Sequence, residues 1–300
     1  MAWNRLFQCL VADNAIAVNT QALIVSDLEM TFKITKSALF QKMAKAEITV
    51  FNANEDTRNK LSNSGQNILI SAGYGDQGNG LQTIFAGNIM LAFDQHEGPT
   101  WATKIVATSI RSPTNTLASK KLALSYGANI PLGTIVGDIA TTMGLVSHID
   151  DRAFKIKKAG GFATHGRALD ALQSICQMLE ANQMGMFIDL NTIYVYSTTG
   201  PTRVPVIHLD YGSGLLRVEK VKSVEEQATA RLAKATKKKQ KPKELHERIK
   251  FETLLIPSLQ PNAVVNLSVP EATGAYIIEE VTFEGDNFGG KWNCTVEAFQ

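Results

Sequence analysis

FAGNIMLAFDQHEGPTWATKIVA (Phe85 to Ala107) and YIIEEVTFEGDNFGGKWNCTVEA (Tyr276 to Ala298) align without a gap at an offset of 191 residues. Phe85 falls on Tyr276, Gly98 on Gly289, Trp101 on Trp292, Ile105 on Val296 and Ala107 on Ala298. Each copy alternates apolar and polar positions, passes a polar glycine-containing turn, and resumes its alternation at a tryptophan. That is the pattern of a β-hairpin. Upstream the order also agrees, since AEITVFN precedes NILISAG as KFETLLIP precedes NAVVNLSV. One frame that carries aromatic, glycine, tryptophan and β-branched positions together predicts that the first and last thirds share a fold.

Outward from the first copy, RLFQCLVA, ALIVSD, LEMTFKIT, KAEITVF and NILISAG are runs of β-branched and aromatic residues separated by Asn, Asp, Gly or Ser. They read as half-buried strands, with short helices possible only at Ser37 to Lys45 and Glu55 to Ser62. After Pro113 the period changes. TIVGDIATTMG predicts a helix with Thr134 as N-cap and Gly144 as C-cap, and SHIDDRAFKI a strand. A second helix is expected to begin at Thr164 and bury Leu169, Leu172, Cys176 and Leu179, with His165 as a helix-start residue. MFIDLNTIYVYST reads as a hairpin turning at Leu190 and Asn191. Strand patterning returns at Val206 and continues to the end of the sequence.

The expected fold class is therefore α+β, mainly β: two related β-barrel domains (1–112 and 206–300) flanking a small α/β domain (113–205). The last domain carries a basic insertion at about 223–247. Residues 217–250 hold twelve Lys and Arg against five Glu, a balance of +7, while the rest of the 300-residue chain stands at −5. Lys237, Lys238, Lys239, Lys241 and Lys243 could neutralise phosphates, but no aromatic side chain is interleaved for base stacking. A solvated loop, or one that binds an acidic partner, fits that composition better.

Composition excludes several classes. Apolar residues at 44% and charged residues at 19% suit a folded globular protein, and no run approaches the roughly 18 apolar residues of a membrane helix. Gln8 and Asp13 interrupt the only leader-like stretch, so a cytoplasmic folding site is expected, and the sequons at Asn266 and Asn293 then carry no meaning. Cys9, Cys176 and Cys294 are odd in number and lack CxxC spacing, which predicts reduced, packed thiols instead of disulfides or a zinc site.

Catalytic chemistry finds no constellation. Gly73, Gly75 and Gly78 spell GxGxxG, but a strand and not a helix follows, so a hairpin loop is expected instead of a dinucleotide site. His96, His148, His165, His208 and His246 show no ligand spacing. Asp150 and Asp151 would point to opposite faces of a strand, which does not suit a general acid/base pair. No catalytic residue, metal ligand or cofactor is expected.

FETLLIPSLQPNAVVNL followed by GAYIIEEVTFEGDNFGGKWNCTVEAF resembles the closing domain of baseplate central hub proteins of contractile-tailed bacteriophages and related injection systems. The resemblance lies in Pro257, which ends a strand, Pro261 before the next, Gly274 and Tyr276 leading a strand, and Asp286, Gly289 and Gly290 in a turn before Trp292. In the order of its domains it covers nearly the whole chain, and it offers no role for the lysine-rich excursion.

The resemblance implies a homotrimeric hub at the tail tip, in the baseplate of the virion tail. Three chains with two barrels each would present six barrels in a ring, joining a hexameric tail tube to a trimeric central spike. Other baseplate proteins and a tape-measure protein are the further partners implied, with DNA passing transiently and without specific binding. Trp101 and Trp292 are expected to anchor equivalent hairpin corners, and the hairpins from Gly87 and Gly274 to close their edges on neighbouring subunits. A tube-initiator or distal-tail ring protein is the alternative within this class. A nucleic-acid module using the lysine run and a carbohydrate- or peptidoglycan-cleaving tail enzyme are the alternatives outside it.

Overall fold

A computed structural model describes residues 4–12, 22–62, 66–75, 80–109, 120–198, 206–221 and 247–300. The first third runs β1 (Arg5–Ala12), β2 (Leu23–Val25), β3 (Met30–Ser37), β4 (Lys45–Phe51), α1 (Glu55–Leu61), β5 (Asn67–Tyr74), β6 (Leu81–Glu97) and β7 (Thr100–Thr108). The middle third runs β8 (Lys121–Tyr126), β9 (Ile130–Pro131), α2 (Leu132–Met143), β10 (Val146–Ile149), β11 (Lys157–Lys158), β12 (Phe162–Arg167), α3 (Ala168–Glu180), β13 (Met184–Asp189) and β14 (Thr192–Ser197). The last third runs β15 (Val206–Leu209), β16 (Leu215–Val221), β17 (Arg248–Leu254), β18 (Val264–Val269), β19 (Ala272–Asp286) and β20 (Trp292–Phe299). The fold is α+β and mainly β. Lys237, Lys238, Lys239, Lys241 and Lys243 lie outside the described residues, as does His246.

Among the described residues, strands of the first and last thirds form one 13-stranded sheet in the order β16-β17-β20-β19-β3-β4-β7-β6-β5-β1-β2, with β18 and β15 branching from β19. Alternation puts one side of each strand in the core. Trp292, Cys294, Val296 and Ala298 of β20 are buried while the residues between them are not, and β4 buries Ala46, Ile48 and Val50 in the same way. Because the two thirds join through β3 and β19, their inward faces share a single hydrophobic cluster.

Both thirds contain the same antiparallel five-strand order, β3-β4-β7-β6-β5 in one and β16-β17-β20-β19-β18 in the other. Their hairpins even share a bulge, after the Ile89 and Ala107 pair in the first and after the Ile278 and Ala298 pair in the second. The sixth strands differ, since β1 runs antiparallel to β5 whereas β15 runs parallel to β18.

The middle third packs α2 and α3 on the three-stranded sheet β10-β14-β13, with its own core, which also takes in Phe40 from the β3–β4 connection. The β13–β14 hairpin turns at Leu190 and Asn191, both with positive φ, as the sequence predicts. Gly144 caps α2 in the left-handed region at φ +73, but the N-cap is Pro131 and Thr134 lies inside the helix. Proline fits there because its fixed φ suits a helix start and no N–H is lost. Thr164 and His165 do not begin a helix. They belong to β12, where pairing to Leu124 and Ala123 of β8 satisfies their backbone groups, and α3 starts at Ala168. Ser37 to Lys45 forms a turn and not a helix. Asp150 leaves the strand and caps a 3-10 turn by accepting from the Arg152 N–H at 2.9 Å, so the two aspartates do not occupy opposite faces of a strand.

Candidate assembly surface

The seam between the thirds is the antiparallel pairing of β3 with β19, from Glu280 opposite Ser37 to Asp286 opposite Thr31. On its inner side Phe283 lies opposite Ile34, both fully buried. On its outer side Lys33 pairs with Glu284 at 2.7 Å, the Thr35 and Thr282 hydroxyls are 3.2 Å apart, and Lys42 reaches Glu280 at 2.8 Å. Lys33 and Lys291, both hydrogen-bonded to Glu284, hold its carboxyl below the usual range.

The tip of the second hairpin is clamped to the first third. Arg5 donates to the carbonyls of Asp286 at 2.9 Å and Gly289 at 2.7 Å, and the Asn287 side chain bridges the Leu28 carbonyl and the Met30 N–H. Gly285 makes this possible by close approach, because a Cβ there would sit 2.4 Å from the Phe32 ring. Phe32 meets Trp292 edge-on at 5.4 Å and stacks on Phe7 at 4.4 Å. Trp292 is thus 4% exposed. Trp101 holds the matching place opposite His96 but is only half-buried, tilted against that imidazole at 3.7 Å with the Arg58 guanidinium 4.3 Å over its ring.

Ladder pairing revises the first strand of the sequence alignment. The offset of 191 holds from β7 to β20, but Ile89 corresponds to Ile278, an offset of 189. Two extra residues in the β19–β20 turn account for the difference. Glu97 pairs Thr100 across Gly98 and Pro99, whereas Asp286 meets Lys291 across Asn287 to Gly290. Phe85 and Tyr276 are both buried, yet Tyr276 stands where the first third has Gly87. A shift of two keeps every side chain on its face, which is why the pattern aligned despite it. Pro257 and Pro261 bracket the β17–β18 connection, where Gln260 donates to the Pro257 carbonyl at 2.6 Å.

The two hairpins differ in what covers them. β19 is paired along both edges, by β20 on one side and by β18 and then β3 on the other. β6 is paired with β5 only through Asn88, so its Leu91 to Glu97 stretch has one strand neighbour among the described residues. On that stretch Leu91 is 54% exposed and Phe93 42%, at the positions held by Glu280 and Thr282 in the second copy. At the opposite end of the sheet, β16 pairs only with β17 among the described residues.

The described residues hold no cluster of three His, Cys, Asp or Glu able to bind a metal. A cleft of about 800 Å³ beside the second hairpin is lined by residues including Arg5, Tyr74, Phe288 and Trp292, and among the described residues no carboxylate, imidazole or thiol lines it. Burial pushes the three thiols up to about 12, Glu180 contributing at Cys176. No described helix is long and apolar enough to cross a membrane.

The fold is similar to those of solved tail proteins and of a type VI secretion component. A tail protein from Neisseria meningitidis MC58 matches with a TM-score of 0.60 at 10% identity, over 98% of this chain and 96% of its own. The 43 kDa tail protein of prophage MuSo2 from Shewanella oneidensis matches at 0.58 and 9%, over 98% and 97%. The E. coli c3393 protein, a type VI secretion component described as similar to the T4 tail proteins gp27 and gp5, matches at 0.56 and 13%, over 90% and 73%. Among curated proteins no sequence matches. The chain belongs to the family described as Baseplate hub gp41, whose signature matches residues 13–208, more than half of the sequence. That membership, with the shared fold, gives it a structural role in the baseplate of a phage tail.

Proposed function

We propose that the protein is the central hub of the baseplate, a homotrimer whose six tube-like units form a ring between the hexameric tail tube and the trimeric spike. The observation that carries this reading is the repeated five-strand order, which gives each chain two similar units to place side by side. Three such chains offer six similar surfaces toward one partner and three identical ones toward the other. Under this reading residues 1–112 and 206–300 each curl into a tube-like barrel and 113–205 forms the small domain between them. The role is mechanical: the ring lines the channel through which the genome passes, without specific binding.

Electron-microscopy class averages of the purified protein test the reading. Rings with three-fold symmetry and six similar lobes are expected. Rings with true six-fold symmetry would favour a tube-initiator or distal-tail protein instead.

A further inference from the structure

The geometry points to a specific contact between copies: β16 of one chain docks antiparallel on the open edge of β6 in the next, in the register of the β3–β19 seam. The inference rests on the ring reading above and gives it a residue-level junction. Through the shared strand order β3 corresponds to β16 and β19 to β6. Among the described residues, then, one seam of this kind is made and both halves of a second one are left open. Open edges of this kind are hazardous unless a partner covers them.

Transferring the register is direct. Ile48 and Phe251 hold matching places, facing Ile105 and Val296, and they pair with Phe32 and Val218 respectively. Phe32 therefore corresponds to Val218, and Gly285 to His96. The transferred register sets Phe93 opposite Val221, Asp94 opposite Lys220, Gln95 opposite Glu219 and His96 opposite Val218.

The side chains suit one another. Phe93 and Val221, 42% and 41% exposed in the single chain, would cover each other. Asp94, already facing Arg58 at 3.3 Å, and Lys220, already paired with Glu247 at 2.6 Å, would add an opposite-charge contact where the internal seam has Phe283 and Ile34. The glycine facing a large Phe32 becomes a histidine facing a smaller Val218. A slip of one residue in one direction would set Asp94 against Glu219, two like charges directly opposite, which destabilises a pair, and in the other would set it against the apolar Val221.

A head-to-tail contact of this kind removes the edges, and it closes a ring of three when each chain is rotated by about 120° from the last. Covalent trapping tests it. At the Phe93 position the internal seam brings the Thr35 and Thr282 hydroxyls to 3.2 Å, so cysteines there fall within disulfide reach. In the full chain, Phe93→Cys with Val221→Cys should give disulfide-linked trimers on mild oxidation. Phe93→Cys with Val218→Cys, three residues out of register, should not. Phe93→Glu, at an exposed position, should leave the thermal melt of the chain unchanged and weaken self-association at least about tenfold, since a lone carboxylate would be buried at the contact. A native trimer that the in-register pair fails to link, or that the off-register pair links equally, overturns this contact and leaves the ring standing. A chain that stays monomeric overturns both.

Discussion

The ammonium of Lys36 lies 2.5 Å from the Asp189 carboxylate with its side chain 1% exposed, and it also donates to the Gln260 amide oxygen. These residues come from β3, the end of β13 and the β17–β18 connection, so one charge ties all three thirds of the chain together. Burial pushes the Lys36 ammonium down and Asp189 opposes that shift.

Removing one partner leaves the other charge buried alone. Lys36→Met should therefore destabilise the fold by about 3–5 kcal/mol, and adding Asp189→Leu should recover most of that loss. Urea unfolding of the single and double variants measures both. A single variant as stable as the parent would show that Asp189 is solvated in solution.

This pair shows where reading the sequence stops. MTFKITKS alternates correctly through Met30, Phe32 and Ile34, and the alternation puts Lys36 on the inward face, a visible anomaly. Its partner lies in another third, and nothing local names it. The strands of the first and last thirds were legible because β-branched alternation is local. Thr164 and His165 were misread because their conformation is set by pairing with β8, a contact distant in sequence. The repeat was legible, but its two-residue slip was not, since a shift of two conserves the face of every side chain. The open edge of β6 became visible only beside its closed counterpart in β19.

The matching tryptophans should respond unequally. Trp292→Ala should cost about 3–5 kcal/mol because the ring is buried against Phe32 and Tyr74, whereas Trp101→Ala should cost clearly less. Trp292→Phe should be much milder than Trp292→Ala, because the buried indole N–H finds no partner among the described residues. Thermal unfolding of the three variants ranks them, and equal losses for the two alanine variants would contradict the difference in packing.

Acid should loosen the internal seam through Glu284. Its folded carboxyl titrates below the unfolded one, so its contribution is present above the ordinary glutamate range and is lost as pH falls through the lowered folded value. Glu284→Gln should flatten the dependence of stability on pH in that window. Unchanged curves for parent and variant would remove Glu284 from the account.

Native thiols should be silent. With all three cysteines buried and their thiols pushed up to about 12, a disulfide-exchange reagent at pH 8 should label none in the folded protein and all three after denaturation. Fast labelling of any one in the native state would place it at an opening of the core.

Native mass spectrometry of the full-length protein tests the hub account most directly. The account predicts a closed species at three times 32.7 kDa, held together without any partner protein. A species of six chains, or a single chain that persists at high concentration, would contradict it.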